Sequence, residues 1–448
     1  MEVGFEAWEH DADGGFARVA LRFAGDPATG WQVERNGRAH LALGPGFGLL
    51  ASRACGVCAT DLARRFLPFP LPQVIGHELL AVDDAGARRV VEINASCVAR
   101  GLVPCATCAA GRARHCPERR VLGIHDLPGG FGAFVLAPVK AALPVPAGLP
   151  DETAALVEPF AAALHAVRTV APRPGERVLV LGPRRLGMLV VAALSAERRR
   201  TGADLEIVAG VRREPLGALA RQLGADAVER LGPEGPAPAS ADVVIDTTGA
   251  PDGLLHALRA ARREVHLKST HGRPAGGLRH ATELVVDELR LSPLDDAARP
   301  GRTAWLAAGA PPPGLAAERG AASALAAAGR PFDAVVVDDA AEADAAIRPD
   351  PASQASLLRP GGTLLVARRA AAAGAPLLEA VAARGLVVST SRCGDFGEAL
   401  ALLESDPALA GLGPRLVTHR FAPDALARAF AAAASPEARK VLVVHPAP

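Results

Sequence analysis

The stretch ERVLVLGPRRLGMLVVAALSAERRR, residues 176–200, decides the fold of this chain. Its first six residues are mostly apolar, as is typical of a buried strand, and a turn at Gly182 follows directly. The residues after the turn have the apolar spacing of a helix. Strand and helix patterns keep alternating through LEIVAGV (205–211), ADVVIDTTG (241–249) and EVHLKST (264–270). This order predicts an α/β fold with a doubly wound parallel sheet.

The residues before this stretch predict a domain of another kind. From residue 1 to about 165, short apolar runs alternate with Gly and Pro, which is typical of a small antiparallel β domain with functional loops. From Glu152 to about Val170 the pattern becomes helical, around Glu158 and His165. The tail from Leu416 onward has the pattern of a strand, a helix and a second strand.

Length and charge narrow the classes of function. With 448 residues the chain is expected to form two or three domains. A net charge of +1 indicates neither a nucleic-acid partner nor an acidic membrane surface. No run of about eighteen uncharged apolar residues predicts a membrane span, and the N-terminus lacks the features of a signal peptide. We therefore expect a cytoplasmic protein.

Two groups of metal-ligating residues precede the strand, turn and helix predicted at 176–200. Cys58 and the triplet Gly76-His77-Glu78 suit a metal that keeps an open coordination position. Thiolates grouped on a short loop, in a chain without signs of secretion, are more typical of a tetrahedral metal site than of disulfides. The loop in question has the pattern Cys97-x7-Cys105-x2-Cys108-x7-Cys116.

A segment late in the chain repeats an earlier one. Residues 292–331 are rich in Ala, Pro and Gly and are predicted to be a linker with one helix. Three stretches after them resemble earlier strands, so we expect a partial duplication. The pairs are 332–340 with 241–249, 357–367 with the strand around 264–268, and 384–394 with 287–295.

Together these motifs resemble the zinc-dependent medium-chain dehydrogenase/reductase superfamily of alcohol and polyol dehydrogenases. The resemblance spans about 45–295 and 385–448, and it implies a GroES-like catalytic domain at 1–165, completed by 415–448. A Rossmann NAD(P)-binding domain is expected at 166–414, with an insertion at about 295–385. The motifs are RACGVCATD (53–61), GHE (76–78), the four-cysteine loop, GGFGAF (129–134), VEPFAAALHA (157–166), VLVLGPRRLG (178–187) and THRF (418–421).

The resemblance assigns a catalytic zinc to Cys58, His77 and Glu78, with Glu158 as a fourth carboxylate that binds directly or through water. The chemistry agrees, because a thiolate, an imidazole and a carboxylate leave Zn²⁺ able to act as a Lewis acid on a substrate oxygen. Thr60 is suited to pass on the substrate proton.

Two neighbours of this set bear on proton transfer and ligand orientation. Asp61 is suited to orient a metal ligand. The family often has a histidine at the position of Ala63, so the proton would leave through water or Glu158.

The second, structural zinc departs from the family spacing Cys-x2-Cys-x2-Cys-x7-Cys. Cys105, Cys108 and Cys116 match, whereas Leu102 stands at the first position. Cys97 could reach back, since closing a short connection costs little entropy. The alternative is a loop that has lost its zinc and keeps three spare thiols.

The glycine turn is altered relative to a dinucleotide fingerprint. Gly182 and Gly187 flank a turn that also contains Leu186, but Arg184 replaces the glycine that lets the backbone approach pyrophosphate. Either Arg184 itself contacts the phosphates, or affinity for the cofactor falls.

The cofactor is expected to be NADP rather than NAD. Gly210 stands where an acid would bind the ribose, and Arg212 and Arg213 follow it, which favours a 2′-phosphate. The alternative is that both arginines are ordinary surface residues of an Arg-rich chain. Thr248 and Lys268 lie at strand ends where a nicotinamide is expected.

We therefore predict a zinc-dependent oxidoreductase that transfers a hydride between an alcohol and NAD(P), with secondary, polyol or amino-alcohol substrates and a homo-oligomeric assembly. The alternative is a non-catalytic descendant that binds a nucleotide or a partner. The intact Cys58, His77 and Glu78 set disfavours a zinc-independent quinone or enoyl reductase. Three roles are open for the insertion: to widen the sheet, to cover its edge, or to replace the strand pairing by which these enzymes usually dimerise.

Overall fold

The structure is a computed structural model that describes residues 1–67, 69–268, 272–295, 301–349, 356–367 and 374–446. Contacts divide the chain into two compact units. The first comprises Met1–Ala161 and Cys393–Pro448, and the second comprises Ala162–Arg392.

Short antiparallel strands dominate the N-terminal part of the first unit. In β2 the residues Val19, Leu21 and Phe23 are buried and alternate with more exposed ones, as a half-buried strand requires. Trp31 completes this core by donating from Nε1 to the carbonyl of Phe47 at 2.8 Å. The strands are β1 Glu2–His10, β2 Phe16–Asp26, β3 Gly30–Arg35, β4 Arg38–Leu43, β5 Phe47–Gly56, β6 Glu78–Val82, β7 Arg88–Val91, β8 Asn94–Ala95, β9 Arg120–Leu122, β10 Asp126–Leu127, β11 Phe134–Pro138 and β12 Ala142–Pro144.

The second unit is built on a single large sheet. Its strands are β13 Glu176–Leu181, β14 Leu205–Val211, β15 Ala227–Arg230, β16 Ala241–Asp246, β17 Ala261–Leu267, β18 Arg290–Pro293, β19 Thr303–Trp305, β20 Glu318–Arg319, β21 Phe332–Val337, β22 Leu358–Val366 and β23 Val387–Thr390. Among the described residues they pair in the order β15-β14-β13-β16-β17-β23-β18-β22-β21-β19-β20. The first six strands in this spatial order, from β15 to β23, are mutually parallel, as predicted.

The chain then returns to the first unit. There β24 Val417–Phe421 and β25 Lys440–Val444 join a sheet of order β12-β7-β6-β5-β25-β24, with β11 also paired to β5. The predicted strand, helix and strand of the tail are thus present.

The helices connect and cover these sheets. They are α1 Ala59–Leu62, α2 Ala106–Ala109, α3 Asp151–Ala154, α4 Val157–Val170, α5 Leu186–Thr201, α6 Glu214–Gln222, α7 Pro251–Ala260, α8 Ala281–Val286, α9 Ala322–Ala327, α10 Ala340–Ile347, α11 Pro376–Arg384, α12 Phe396–Ser405, α13 Leu412–Leu416 and α14 Leu426–Ala434. Within the described ranges, none of these is both long and apolar enough to cross a membrane.

Two boundaries differ from the expected ones. The first unit takes in the chain from Cys393 onward rather than from 415, because the region around α13 packs on α3: the Gly413 N–H donates to Thr153 Oγ1 at 3.1 Å. The segment 292–331 contains the end of β18 and the short strands β19 and β20 besides its helix α9, so it is more than a linker.

Candidate functional site

Cys58, Asp61 and His77 meet at the start of α1. Cys58 caps this helix, and its backbone N–H donates to the Asp61 carboxylate at 2.9 Å. The other oxygen of Asp61 lies 3.3 Å from Nδ1 of His77, and both side chains are buried. Asp61 therefore faces Nδ1 of the imidazole, which leaves Nε2 as the ring nitrogen for a metal.

Gly76 makes the approach of His77 possible. Its φ is +104°, and a Cβ there would lie 2.9 Å from both Cys55 Sγ and the backbone nitrogen of Phe131. Any other residue at this position would displace the backbone that carries His77. The GHE motif thus has a steric requirement at its first residue.

The surroundings of His77 favour positive charge. Burial lowers the pKa of the imidazole, but the charges of Asp61 and Cys58 outweigh it and hold the pKa well above its ordinary value. The same negative surroundings would stabilise a divalent cation. The residues present therefore fit a zinc ion held by Cys58 and His77.

Glu78 has another partner. Its Oε2 forms a buried ion pair with the ammonium of Lys440 on β25, and both side chains are almost fully enclosed. Gly56 lies between the two strands that carry them, and a Cβ on it would clash with Glu78 Oε2 at 2.0 Å. In this arrangement the carboxylate balances Lys440, so its predicted role as a direct zinc ligand would require breaking a buried ion pair.

The expected four-ligand set is not assembled as one cluster. Glu158 is half-buried in the first turn of α4, and Thr60 is half-buried in α1 next to Asp61. Within the described ranges, the only group of three or more metal-ligating side chains whose donor atoms all lie within 4.8 Å of one another is the four-cysteine loop. Cys58 and His77 are thus the two predicted catalytic ligands that the structure brings together.

The four-cysteine loop is a compact thiol cluster. Cys97 Sγ lies 3.5 Å from Cys116 Sγ, and Cys105 Sγ lies 3.8 Å from it. Tetrahedral coordination at the usual Zn–S distance separates thiolates by about 3.8 Å. Cys97 thus takes the place that Leu102 cannot fill, and the cluster Cys97, Cys105, Cys108 and Cys116 fits a structural zinc.

The thiols of this cluster differ in acidity. The backbone N–H of Cys108 is the main cause that lowers the pKa of Cys105 to about 7. Burial raises the pKa of Cys116 well above its ordinary value. A metal binds thiolates, so binding here would release protons chiefly from the buried thiols.

In the second unit, the glycine turn after β13 is packed tightly against the chain that follows β16. A Cβ on Gly182 would lie 2.7 Å from Thr248 Cγ2, and one on Gly187 would lie 2.4 Å from Thr247 Oγ1. Both glycines of the fingerprint therefore have a steric role. Arg184 and Leu186 are half-buried in this turn, at the N-terminal end of α5.

The ends of β13 and β14 are adjacent. Gly182 donates its N–H to the carbonyl of Gly210 at 3.2 Å. Arg212 is exposed beyond this point, and Arg213 caps α6. This is the carboxyl edge of the parallel sheet, where such folds bind nucleotides.

Lys268 is committed to the protein interior. Its ammonium donates to Ser391 at the carbonyl (2.9 Å) and at Oγ (3.1 Å), and also to the carbonyl of Arg392. A lysine has three donor hydrogens, so little capacity remains for a cofactor. The predicted contact of Lys268 with nicotinamide is therefore not supported by this geometry.

Asp246, two residues before Thr248 at the same strand end, is a buried acid to which sequence reasoning assigned no separate role. It accepts from Thr248 N at 2.9 Å and from Thr248 Oγ1 at 2.7 Å. Burial outweighs these hydrogen bonds and raises its pKa to about 6.

Lys440 was also missed, although the composition contains a signal. The chain has only three lysines among 49 basic residues. Two of them, Lys268 and Lys440, are buried and hydrogen-bonded.

Comparisons with known proteins agree with this architecture. Residues 44–147 match the family described as "Alcohol dehydrogenase GroES-like domain". The chain is 34% identical to L-galactonate-5-dehydrogenase of Escherichia coli K12 over 161 residues, 33% of this chain and 46% of that protein. It is 32% identical to L-threonine 3-dehydrogenase of Rhizobium rhizogenes K84 over 199 residues, 42% of this chain and 55% of that protein. The alignments thus span about half the length of these relatives.

Solved structures extend the likeness to the whole fold. A zinc-binding dehydrogenase, as it is provisionally described, from Sinorhizobium meliloti 1021 was solved with NADP bound; it has a TM-score of 0.56, 21% identity, and 99% coverage of both chains. A short chain alcohol dehydrogenase from Escherichia coli CFT073 complexed with NADH has a TM-score of 0.57, 16% identity, and coverage of 98% and 99%.

The chain has a GroES-like unit and a parallel-sheet unit with a glycine turn. This is the fold of the two-domain dehydrogenases. Within that class, the resemblance to the zinc-dependent medium-chain dehydrogenase/reductase superfamily is confirmed. The segment between β18 and β23 widens the sheet of this fold.

Proposed function

We propose that the chain is a zinc-dependent oxidoreductase that transfers a hydride between an alcohol and NADP. The observation that carries the proposal is the arrangement of buried Asp61 and His77 beside the half-buried Cys58 in a GroES-like unit. Zinc held by Cys58 and His77 would polarise the substrate oxygen and make its hydroxyl proton more acidic.

The chain's own residues prepare that chemistry. The proposed role of Asp61, whose carboxylate lies 3.3 Å from His77 Nδ1, is to fix the tautomer and the orientation of that ring when zinc binds. Thr60, on the same helical turn as Asp61, is the proposed acceptor of the substrate proton. Glu158, half-buried and acidic, is the proposed exit for the proton because Ala63 has no side chain that can carry it.

The substrate class is proposed from the relatives. The names of two relatives contain L-galactonate, a polyhydroxy acid, and L-threonine, a hydroxylated amino acid. We therefore propose a polyol, hydroxy-acid or amino-alcohol substrate, acted on in the cytoplasm. The expected homo-oligomer stays a prediction.

NADP is proposed over NAD because Arg212 and Arg213 follow Gly210 where an acid would otherwise bind the ribose hydroxyls. Replacing Arg212 and Arg213 together by alanine should lower the affinity for NADP at least tenfold more than the affinity for NAD. Arg221→Ala, on the same helix α6, is the matched control. An equal loss of affinity for both cofactors would contradict the proposed preference for NADP.

The test of the activity combines metal content with turnover. Purified protein is analysed for zinc and assayed for NADP and NAD reduction with a panel of secondary alcohols, polyols, aldonates and amino alcohols. Cys58→Ala should abolish turnover and remove one zinc. The control Cys55→Ala removes a buried thiol three residues away and should retain both turnover and the zinc ion bound at Cys58. Zinc-free protein without turnover on the whole panel would favour the non-catalytic alternative.

A further inference from the structure

The large sheet of the second unit has the same plan on both sides of its middle. At the middle, β23 and β18 are antiparallel neighbours, with Leu291 opposite Val388. Outward from there the order is β23, β17, β16, β13, β14, β15 on one side and β18, β22, β21, β19, β20 on the other, so the first side has one further strand at its edge. Strands are parallel within each side. An approximate twofold axis therefore passes between β18 and β23.

The repeated sequence stretches occupy equivalent places about this axis. The pair β16 and β21 lies third from the middle, the pair β17 and β22 second, and the pair β23 and β18 first. The chain order is also equivalent: β16-α7-β17-α8-β18 in one half and β21-α10-β22-α11-β23 in the other. This agreement supports the predicted duplication.

The last strand of each half lies in the other half. Strand β18 follows β17 along the chain but pairs with β22, whereas β23 follows β22 but pairs with β17. We propose that residues 303–390 are a second copy of part of the nucleotide-binding sheet, that the copies have exchanged their last strands, and that the second copy occupies the sheet edge at which another chain could otherwise pair. An open edge strand would present unpaired N–H and C=O groups, and the second copy satisfies them.

A buried polar ladder selects β23 as the partner of β17. Glu264, His266 and Lys268 alternate along β17 and its end, so they share one face of the sheet. Ser389 donates to Glu264 at 2.5 Å and lies 2.8 Å from His266 Nδ1. Ser391 lies 2.9 Å from His266 Nε2 and accepts from Lys268 at 3.1 Å. All five residues are buried.

The other candidate strand, β18, cannot supply this ladder. Aligning the repeats places Ser292 at the position of Ser389 but Leu294 at the position of Ser391. A leucine there would leave His266 and Lys268 without their serine partner, at the cost of unpaired buried polar groups. In this proposal the buried polar groups of the ladder specify which strands pair.

The second copy lacks the features of a nucleotide site. Asp338 and Asp339 stand at the positions of Thr247 and Thr248, and Asp338 accepts the N–H of Ala308 at 2.7 Å. Carboxylates at this edge would repel phosphate. The chain from β19 to β20 also has no helix, so no helix N-terminus faces such a ligand. The second copy therefore acts as an interface and not as a second cofactor site.

A matched pair of serine variants tests the exchange. In the full chain, Ser389→Ala should lower the melting temperature by several degrees, because Glu264 loses a donor and His266 loses an acceptor. Ser292→Ala, the equivalent change in β18, should have little effect. A larger loss for Ser292→Ala, or equal losses, would overturn the exchange.

A disulfide tests whether the interface is internal. Leu291→Cys together with Val388→Cys places two thiols at directly opposite positions. After oxidation we expect a 291–388 linked peptide in protein that migrates as one chain on a non-reducing gel, whereas neither single variant should show it. A link that joins two chains, or folded protein without the link, would overturn the proposal.

Discussion

Asp61 shows how one carboxylate can serve two purposes in the candidate metal site. It accepts a hydrogen bond from the backbone N–H of Cys58 and faces His77, so it contacts both residues that would hold the metal. Its burial means that few alternative rotamers are open to it.

Asp61→Asn retains the shape and the capping oxygen but removes the charge that faces His77. We expect the affinity of the catalytic site for zinc to fall about 10- to 100-fold, as is usual when a hydrogen-bond partner of a ligating histidine is lost. Chelator competition measures it. Asp83→Asn, in a turn of the same unit, should leave the affinity unchanged. Equal affinities for Asp61→Asn and the parent chain would contradict the role.

Asp246 should make the stability of the second unit depend on pH. Its pKa is raised from 3.8 to about 6, so the fold prefers the neutral acid. This contribution is complete below pH 3.8 and is lost as the pH rises through about 6. The shift corresponds to a loss of about 3 kcal/mol.

Asp246→Asn keeps an acceptor oxygen for Thr248 and does not ionise. Its free energy of unfolding, relative to the parent chain, should rise between about pH 4 and pH 6 and then level off. Denaturant titrations at several pH values measure this difference. A difference that does not vary with pH would show that Asp246 does not titrate in the folded state.

At the scale of elements, the pair Glu78 and Lys440 ties β6 to β25 across β5. Lys440→Met would leave a buried carboxylate unpaired and should cost about 3–5 kcal/mol of unfolding free energy. Adding Glu78→Leu should recover most of this loss, because it removes the orphaned charge. Thermal and denaturant unfolding measure both variants.

The same double variant separates the two roles considered for Glu78. If Glu78 only balances Lys440, the doubly substituted protein should keep its zinc at Cys58 and His77. Loss of that zinc from a stably folded double variant would show that Glu78 is a ligand.

The cysteine loop would hold the proposed structural zinc. Wild-type protein should contain two zinc ions per chain. The Cys97→Ser variant should contain a single zinc ion, the one bound at Cys58. Cys393→Ala, which removes a buried thiol outside both sites, should keep two. Metal analysis by mass spectrometry gives the ratio. Two ions in the Cys97→Ser protein would mean that three thiols suffice.

Over the whole molecule, zinc and NADP should protect different residues from hydrogen exchange. Chelation of zinc should speed exchange in the cysteine loop and near His77, both in the first unit. NADP should slow exchange at the glycine turn and at 210–213 in the second unit, by mass action on the folded state. Protection by NADP that is confined to 303–366 would place the nucleotide in the inserted copy instead.

Much of this architecture could be predicted from local patterns. The glycine turn, the strand and helix alternation and the GHE motif depend on residues close in sequence, so their periods and spacings are visible there. Contacts between distant residues have no such signal. Lys440 meets Glu78 across 362 positions, and Lys268 meets Ser391 across 123.

The insertion lies between these cases. Its repeats are visible in the sequence, but the exchange of β18 and β23 is not, because either strand would satisfy the pattern of a buried strand. Only the side chains that face Glu264 and His266 distinguish them. Sequence therefore indicates how many strands there are more readily than it indicates which ones pair.

The reversal of strand direction between β23 and β18 has a practical consequence for labelling. Because β19 runs opposite to β13, its carboxyl end lies at the other edge of the sheet from the glycine turn. The chain between β19 and β20 passes through Gly309 and Gly314, where a Cβ would meet nothing within 4 Å. A fluorophore or affinity tag inserted there would sit far from the cofactor turn, so the chain offers an attachment point for binding measurements that leaves the nucleotide edge clear.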